Sequence, residues 1–244
     1  MHTPENFERL TRLYAEGERC VAAGDLEGAV QRFSEGLAID DHFRQRYVTL
    51  YAQRAFALHR LGQLAAAVDD YGRAIAMEPP IHQAQYHLQR AMCLRQLGED
   101  APAYEDFGRA AALAPEQPGP WHLRGRLLVD QNRYDEAIAD FDRLLALRPD
   151  PDGYTQRAFC KASRDDHQGG LEDCRASLAL RADPYTDYLA ALCCAALGQT
   201  QPMLEHAARA VAGDPSFRTA LAEDEEFAGY RSWPPLAALA GLAP

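Results

Sequence analysis

A chain of 244 residues with 47% hydrophobic and 25% charged side chains has enough apolar material for a sizeable core and too little charge excess for bulk disorder. Its 25 Lys and Arg against 36 Asp and Glu leave a formal charge of −11, which works against nucleic acid or an anionic membrane surface as partner, since both ask for a basic footprint. The start, MHTPENFERLTR, lacks the apolar core of a signal peptide, and no segment nears the roughly 18 uninterrupted apolar residues of a membrane span, so a cytoplasmic location is expected. Lys161 is the only lysine among the basic residues, a bias that suggests a GC-rich bacterial genome.

Thr3-Pro4-Glu5 combines a capping hydroxyl, a proline for the first turn and an acid at the positive helix end, and predicts a helix from about Pro4 to Ala23. Gly24-Asp25 breaks it. A second helix follows, with Ala29, Phe33 and Leu37 on one face, ending near Ile39. The same two-helix pattern returns with Tyr51, Ala55, Leu58, Gly62, Ala67, Tyr71 and Ala74, its first helix starting about one turn before Tyr51. It returns again with Ala91, Leu94, Gly98, Ala103, Phe107 and Ala110, where Asp100 is expected to cap a helix that carries Pro102 in its first turn.

The stretch 120–149, PWHLRGRLLVDQNRYDEAIADFDRLLALRP, is the clearest copy. Trp121, Gly125, Leu128, Tyr134, Ala137, Phe141 and Pro149 alternate large and small residues, so that Gly125 and Ala137 allow two antiparallel helices to approach while the larger side chains fill the space around them. This pattern resembles a tetratricopeptide repeat. The resemblance implies an all-α fold: a right-handed α-α superhelix of about six helix-turn-helix repeats, over 10–43, 48–81, 84–117, 118–151, 151–183 and 184–215, within a solenoid spanning 4–215. The fifth copy is degenerate at its turn, where Arg164-Asp165-Asp166-His167 replaces glycine, and the sixth has small core residues that predict weak packing. Residues 216–244 lose the paired spacing but keep Phe217, Leu221, Phe227, Tyr230, Leu236 and Leu239, which suits a helical cap over the last apolar face.

Arg54, Arg90, Arg124 and Arg157 recur at one position of the first helix, each 16 residues before Asp70, Asp106, Asp140 and Asp173. In the first copy the two positions hold Glu16 and Arg32, so the signs swap while opposition is kept, and in the sixth they hold Ala190 and His206. Intra-repeat ion-pair struts account for this better than a bound anion.

Catalytic signatures are missing: there is no G-x-S-x-G elbow, phosphate loop or H-E-x-x-H helix, and no cofactor is expected. Cys160, His167 and Cys174 are close in sequence, yet the two cysteines occupy core positions, and Cys93, Cys160 and Cys193 repeat at an inter-helix position, so buried free thiols are expected rather than a metal site.

In the family the first helices line a groove that takes peptides or helices. Carried over position by position, the groove here would present Tyr14, Glu18, Gln53, Phe56, His59, Arg60, Gln89, Met92, Arg95, Gln96, His122, Arg126, Gln156, Phe159, Tyr188 and Leu192. Amides, cations and aromatics in that mixture suit an extended peptide, and Arg60, Arg95 and Arg126 suit acidic residues on it. The Lys and Asn clamp that some members use for a terminal carboxylate is absent, with Tyr14, Glu18, Thr49, Gln53 and Gln85 at its positions. The resemblance therefore implies a non-enzymatic scaffold for a protein or peptide partner; the alternative is a regulatory protein whose groove binds a signalling peptide or small ligand.

Overall fold

A computed structural model describes residues 4–39, 44–79 and 82–242, and no strand occurs among them. The expected cap at Thr3 lies outside the described residues, as do 40–43, 80–81 and 243–244 of the expected repeats and cap. Contacts divide the chain into two compact units, Met1–Pro120 and Trp121–Pro244.

The first unit holds α1 (Pro4–Ala23), α2 (Leu26–Leu37), α3 (Arg44–Arg60), α4 (Leu64–Met77), α5 (Ala84–Gln96) and α6 (Asp100–Leu113). The boundary falls within α7 (Pro118–Asp130), and the second unit continues through α8 (Tyr134–Leu147), α9 (Pro151–Ala162), α10 (His167–Leu180), α11 (Pro184–Ala196) and α12 (Thr200–Gly213). It ends with α13 (Phe217–Glu223), a 3-10 helix over Glu225–Tyr230 and α14 (Pro234–Ala240). Odd and even helices up to α12 form hairpin pairs, and α3 starts two turns before Tyr51 rather than one.

The turns within the pairs share one backbone conformation. Gly24, Gly62, Gly98 and Gly198 have φ of +79°, +75°, +78° and +69°, and Asn132 (+57°) and Asp165 (+62°) take the same left-handed form. The degenerate fifth turn is thus degenerate in sequence only, because short polar side chains tolerate this region better than other L residues do. Asp100 is not a cap: Glu99 occupies that place without a side-chain bond, and Asp100 begins the helix, leaving Pro102 in the first turn as expected.

Close approach inside a pair is visible at Gly125, where an added Cβ would lie 2.9 Å from the Phe141 ring. Leu128, Ala137 and Phe141 are buried there, whereas Trp121 and Tyr134 are half-buried and turn to other work. The expectation of weak packing in the sixth pair fails. Thr186 to Ala191 and Cys193 to Ala195 of α11 are all buried, because its small side chains let several elements close in on it at once. Leu221, Phe227 and Leu236 of the last three helices are fully buried against the same cluster as Met203, Ala207 and Ala210.

Candidate functional site

The recurring charges meet inside each pair. Arg54 Nε and Nη2 donate to Asp70 at 2.6 and 2.8 Å, and Arg90 does the same to Asp106 at 2.6 and 2.9 Å. Arg124 reaches Asp140 at 2.8 and 2.6 Å, and Arg157 reaches Asp173 at 2.8 and 2.6 Å. The four carboxylates are buried and the guanidinium groups partly so, and the bonds to Asp70 and Asp173 raise Arg54 and Arg157 further above the ordinary arginine range. In the reversed pair Arg32 lies 3.6 Å from Glu16.

A second position completes the motif. Three residues before the arginine stands an aromatic ring that covers it, with Tyr51, Trp121 and Tyr154 centroids 5.8, 5.2 and 5.7 Å from the guanidinium carbons. In the third pair that position is His87, whose Nδ1 is 2.8 Å from Asp106. Burial pushes the Asp106 carboxyl up, but the bonds from His87 and Arg90 outweigh it and hold it below the usual carboxylate range. In the sixth pair the same position is Asp187, bonded to His206 at 2.7 Å and to Arg209 at 2.9 Å, so the charges return with exchanged helices. Sequence reasoning missed this because the spacing changes from 16 to 19 residues.

Of the positions assigned to the groove, four in the first unit touch across helices, Tyr14 with Gln53 and His59 with Gln96. Tyr14 Oη donates to Glu18 at 2.7 Å and is hydrogen-bonded by Gln53 of α3; burial and the Glu18 carboxylate push its pKa up to about 12. Gln96 Nε2 of α5 is 3.0 Å from His59 Nε2 of α3, and the exposed Arg60 guanidinium lies 5.9 Å from the Phe56 ring centre. Gln89, Met92 and Arg95 are half-buried on the same helix as Gln96. Tyr14 also lines a cavity of about 260 Å³ with Leu10, Thr49 and Leu50.

In the second unit the positions diverge. His122 sits 3.7 Å from Asp150 with its ring edge-on to Phe141, and burial lowers its pKa despite that carboxylate. Arg126 is exposed, Gln156 is half-buried, and Phe159 packs edge-on against Tyr134 at 6.0 Å. Tyr188 is not on an open face: it is 8% exposed, stacked on Phe217 at 4.9 Å and close to Phe227. The docking of the last helices covers it, and no local period in the sequence signals that.

All six cysteines are free, with only Cys20 not fully buried. Burial pushes Cys93 and Cys194 up to about 11 and Cys160 up to about 12, which makes them poor nucleophiles. Among the described residues no group of three or more His, Cys, Asp or Glu side chains is placed to hold a metal ion, and no helix is long and apolar enough to cross a membrane.

Residues 48–80 and 118–151 each match a family model described as tetratricopeptide repeat. A 61-residue segment is 34% identical to ethylene-overproduction protein 1 of Arabidopsis thaliana, which amounts to 25% of this chain and 6% of that protein. Among solved structures, the C-terminal part of a TPR repeat-containing protein from Cytophaga hutchinsonii superposes with a TM-score of 0.75 at 12% identity, over 93% of this chain and 92% of that one. A tetratricopeptide repeat protein from Parabacteroides merdae gives 0.69 at 18% identity over 96% and 99%. YrrB, described as a TPR protein with an unusual peptide-binding site, gives 0.61 at 16% over 78% and 90%. At such identities these structures establish the fold alone, an all-α solenoid of helix pairs. With two repeat models matched and the paired helices in place, the chain is a tetratricopeptide-repeat protein.

Proposed function

We propose that the chain is a non-catalytic scaffold that binds an extended, acidic segment of a partner protein along the first helices of its repeats. The observation that carries this reading is the pair of cross-helix contacts Tyr14–Gln53 and His59–Gln96, which ties α1, α3 and α5 into one continuous polar and aromatic face. Amides on that face can pair with peptide backbone, and Arg60 and Arg95 next to them can pair with carboxylates. Arg126 supplies the same chemistry in the second unit. The cytoplasm suits the chain, because its six unbridged cysteines stay reduced there.

The test is fluorescence anisotropy with a labelled, Glu-rich dodecapeptide, on the native chain and on the variant Arg60→Ala, Arg95→Ala, Arg126→Ala. Binding should weaken with added salt and drop by about tenfold or more in the variant, while its melting temperature stays close to native. Undiminished, salt-independent binding by a folded variant would falsify the acidic preference and the face that supports it.

A further inference from the structure

The second unit contains a cavity of about 300 Å³ with an unusual set of walls. Phe159 of α9, Tyr185 and Tyr188 of α11 and His167 of α10 line it, together with Asp224 and Glu226 at the start of the 3-10 helix. Two buried polar atoms there lack hydrogen-bond partners: the hydroxyl of Tyr188, a residue 92% withdrawn from solvent, and Nδ1 of His167. A native interior seldom leaves such groups unpaired, since each loses water without gaining a partner.

We propose that this cavity is a binding site for an organic cation, an alkylammonium or guanidinium group. The Tyr188 hydroxyl can accept a hydrogen bond, as can His167 Nδ1 when the ring proton is on Nε2; two of the walls are carboxylates, and three are aromatic rings, which attract a cation through their faces. Arg231 does not fill this role: its guanidinium donates to the backbone oxygens of Glu223 and Asp224, not to the carboxylates. Consistent with an unneutralised pair, burial and the neighbouring Glu226 raise the Asp224 pKa, with Arg231 only partly opposing the shift. None of the arginines of the proposed peptide face lines this cavity, so either reading can fail without the other.

The guanidinium or ammonium could belong to a basic side chain of a protein partner or to a free amine, and the probes separate these sources. Titration calorimetry on the full chain would compare acetyl-Gly-Arg-Gly-amide, its uncharged citrulline isostere, and agmatine. The Arg peptide should bind at least about tenfold tighter than the citrulline peptide. Agmatine matching the Arg peptide identifies a free amine, and agmatine binding much more weakly identifies a peptide side chain. Asp224→Asn with Glu226→Gln should remove most of that discrimination, and Tyr188→Phe, which keeps the ring and its packing, should weaken binding several-fold. Equal affinity for the two peptides, no heat with any probe at millimolar concentration, or an unaffected double variant would each overturn the proposal.

Discussion

Arg124 holds Asp140 with two parallel hydrogen bonds of 2.8 and 2.6 Å while the Trp121 ring lies 5.2 Å from its guanidinium carbon. The carboxylate is 3% exposed, so its charge depends on that grip. Arg124→Ala should therefore destabilise the chain by roughly 1–3 kcal/mol in urea titration. The reversal Arg124→Asp with Asp140→Arg copies the arrangement of Glu16 and Arg32, and should be more stable than the worse single change though less than native, since Trp121 no longer covers a cation. A double variant no better than its worse parent would show that the two side chains do not act as a pair.

Asp106 gives the pH signature. Its folded pKa lies below the ordinary carboxylate value, so the unfolded chain takes up its proton first as pH falls. The stabilisation is complete above the unfolded pKa of about 4 and is lost as pH drops through the lower folded value. Asp106→Asn should consequently be clearly less stable than native at neutral pH, and the gap should narrow below about pH 4. Urea midpoints across that range would show it; a gap independent of pH would be the contrary result.

Gly62 isolates a backbone effect. Its φ is +75° and a Cβ there would meet nothing within 4 Å, so any cost of Gly62→Ala is conformational rather than steric with neighbours. We expect a loss of about 1 kcal/mol or more. Gly62→Asn should cost less, because Asn132 already occupies the equivalent turn at φ +57°. Thermal melts of the two variants decide it, and equal losses would contradict the account.

Phe227 is fully buried beside Tyr188, Leu221 and Leu236, so Phe227→Ala should cost about 3–5 kcal/mol. Removing residues from Ser216 onward should lower the melting temperature and promote aggregation while the remaining chain stays helical. A soluble truncation of native stability would mean that the last helices do not cover the apolar face of α11 and α12.

The struts were readable because they obey a fixed 16-residue spacing with fixed or exchanged signs, a correlation that only contact explains. The Asp187–His206–Arg209 cluster was not, since a one-turn shift along α11 breaks the register in which it was sought. The paired helices followed from periodicity, and Asp165 showed that a turn can keep its conformation after losing glycine. Gln53 and Gln96 reach Tyr14 and His59 on neighbouring first helices, contacts that follow from their positions in the repeat. Tyr188 and the cavity around it depend on where Phe217, Asp224 and Phe227 dock, which no local pattern specifies.

Each strut joins residues only 16 apart, so the chain gains its most specific contacts without closing a long loop. Low contact order of this kind gives fast folding, and every helix pair can nucleate on its own ion pair before its neighbours arrive. Unfolding then starts where a pair is least held. At the N-terminal end the Glu16–Arg32 bridge is 3.6 Å long and about a third exposed, whereas the last pair is roofed by Phe227 and Leu236. Amide exchange should therefore be fastest in α1 and α2 and slowest in α11.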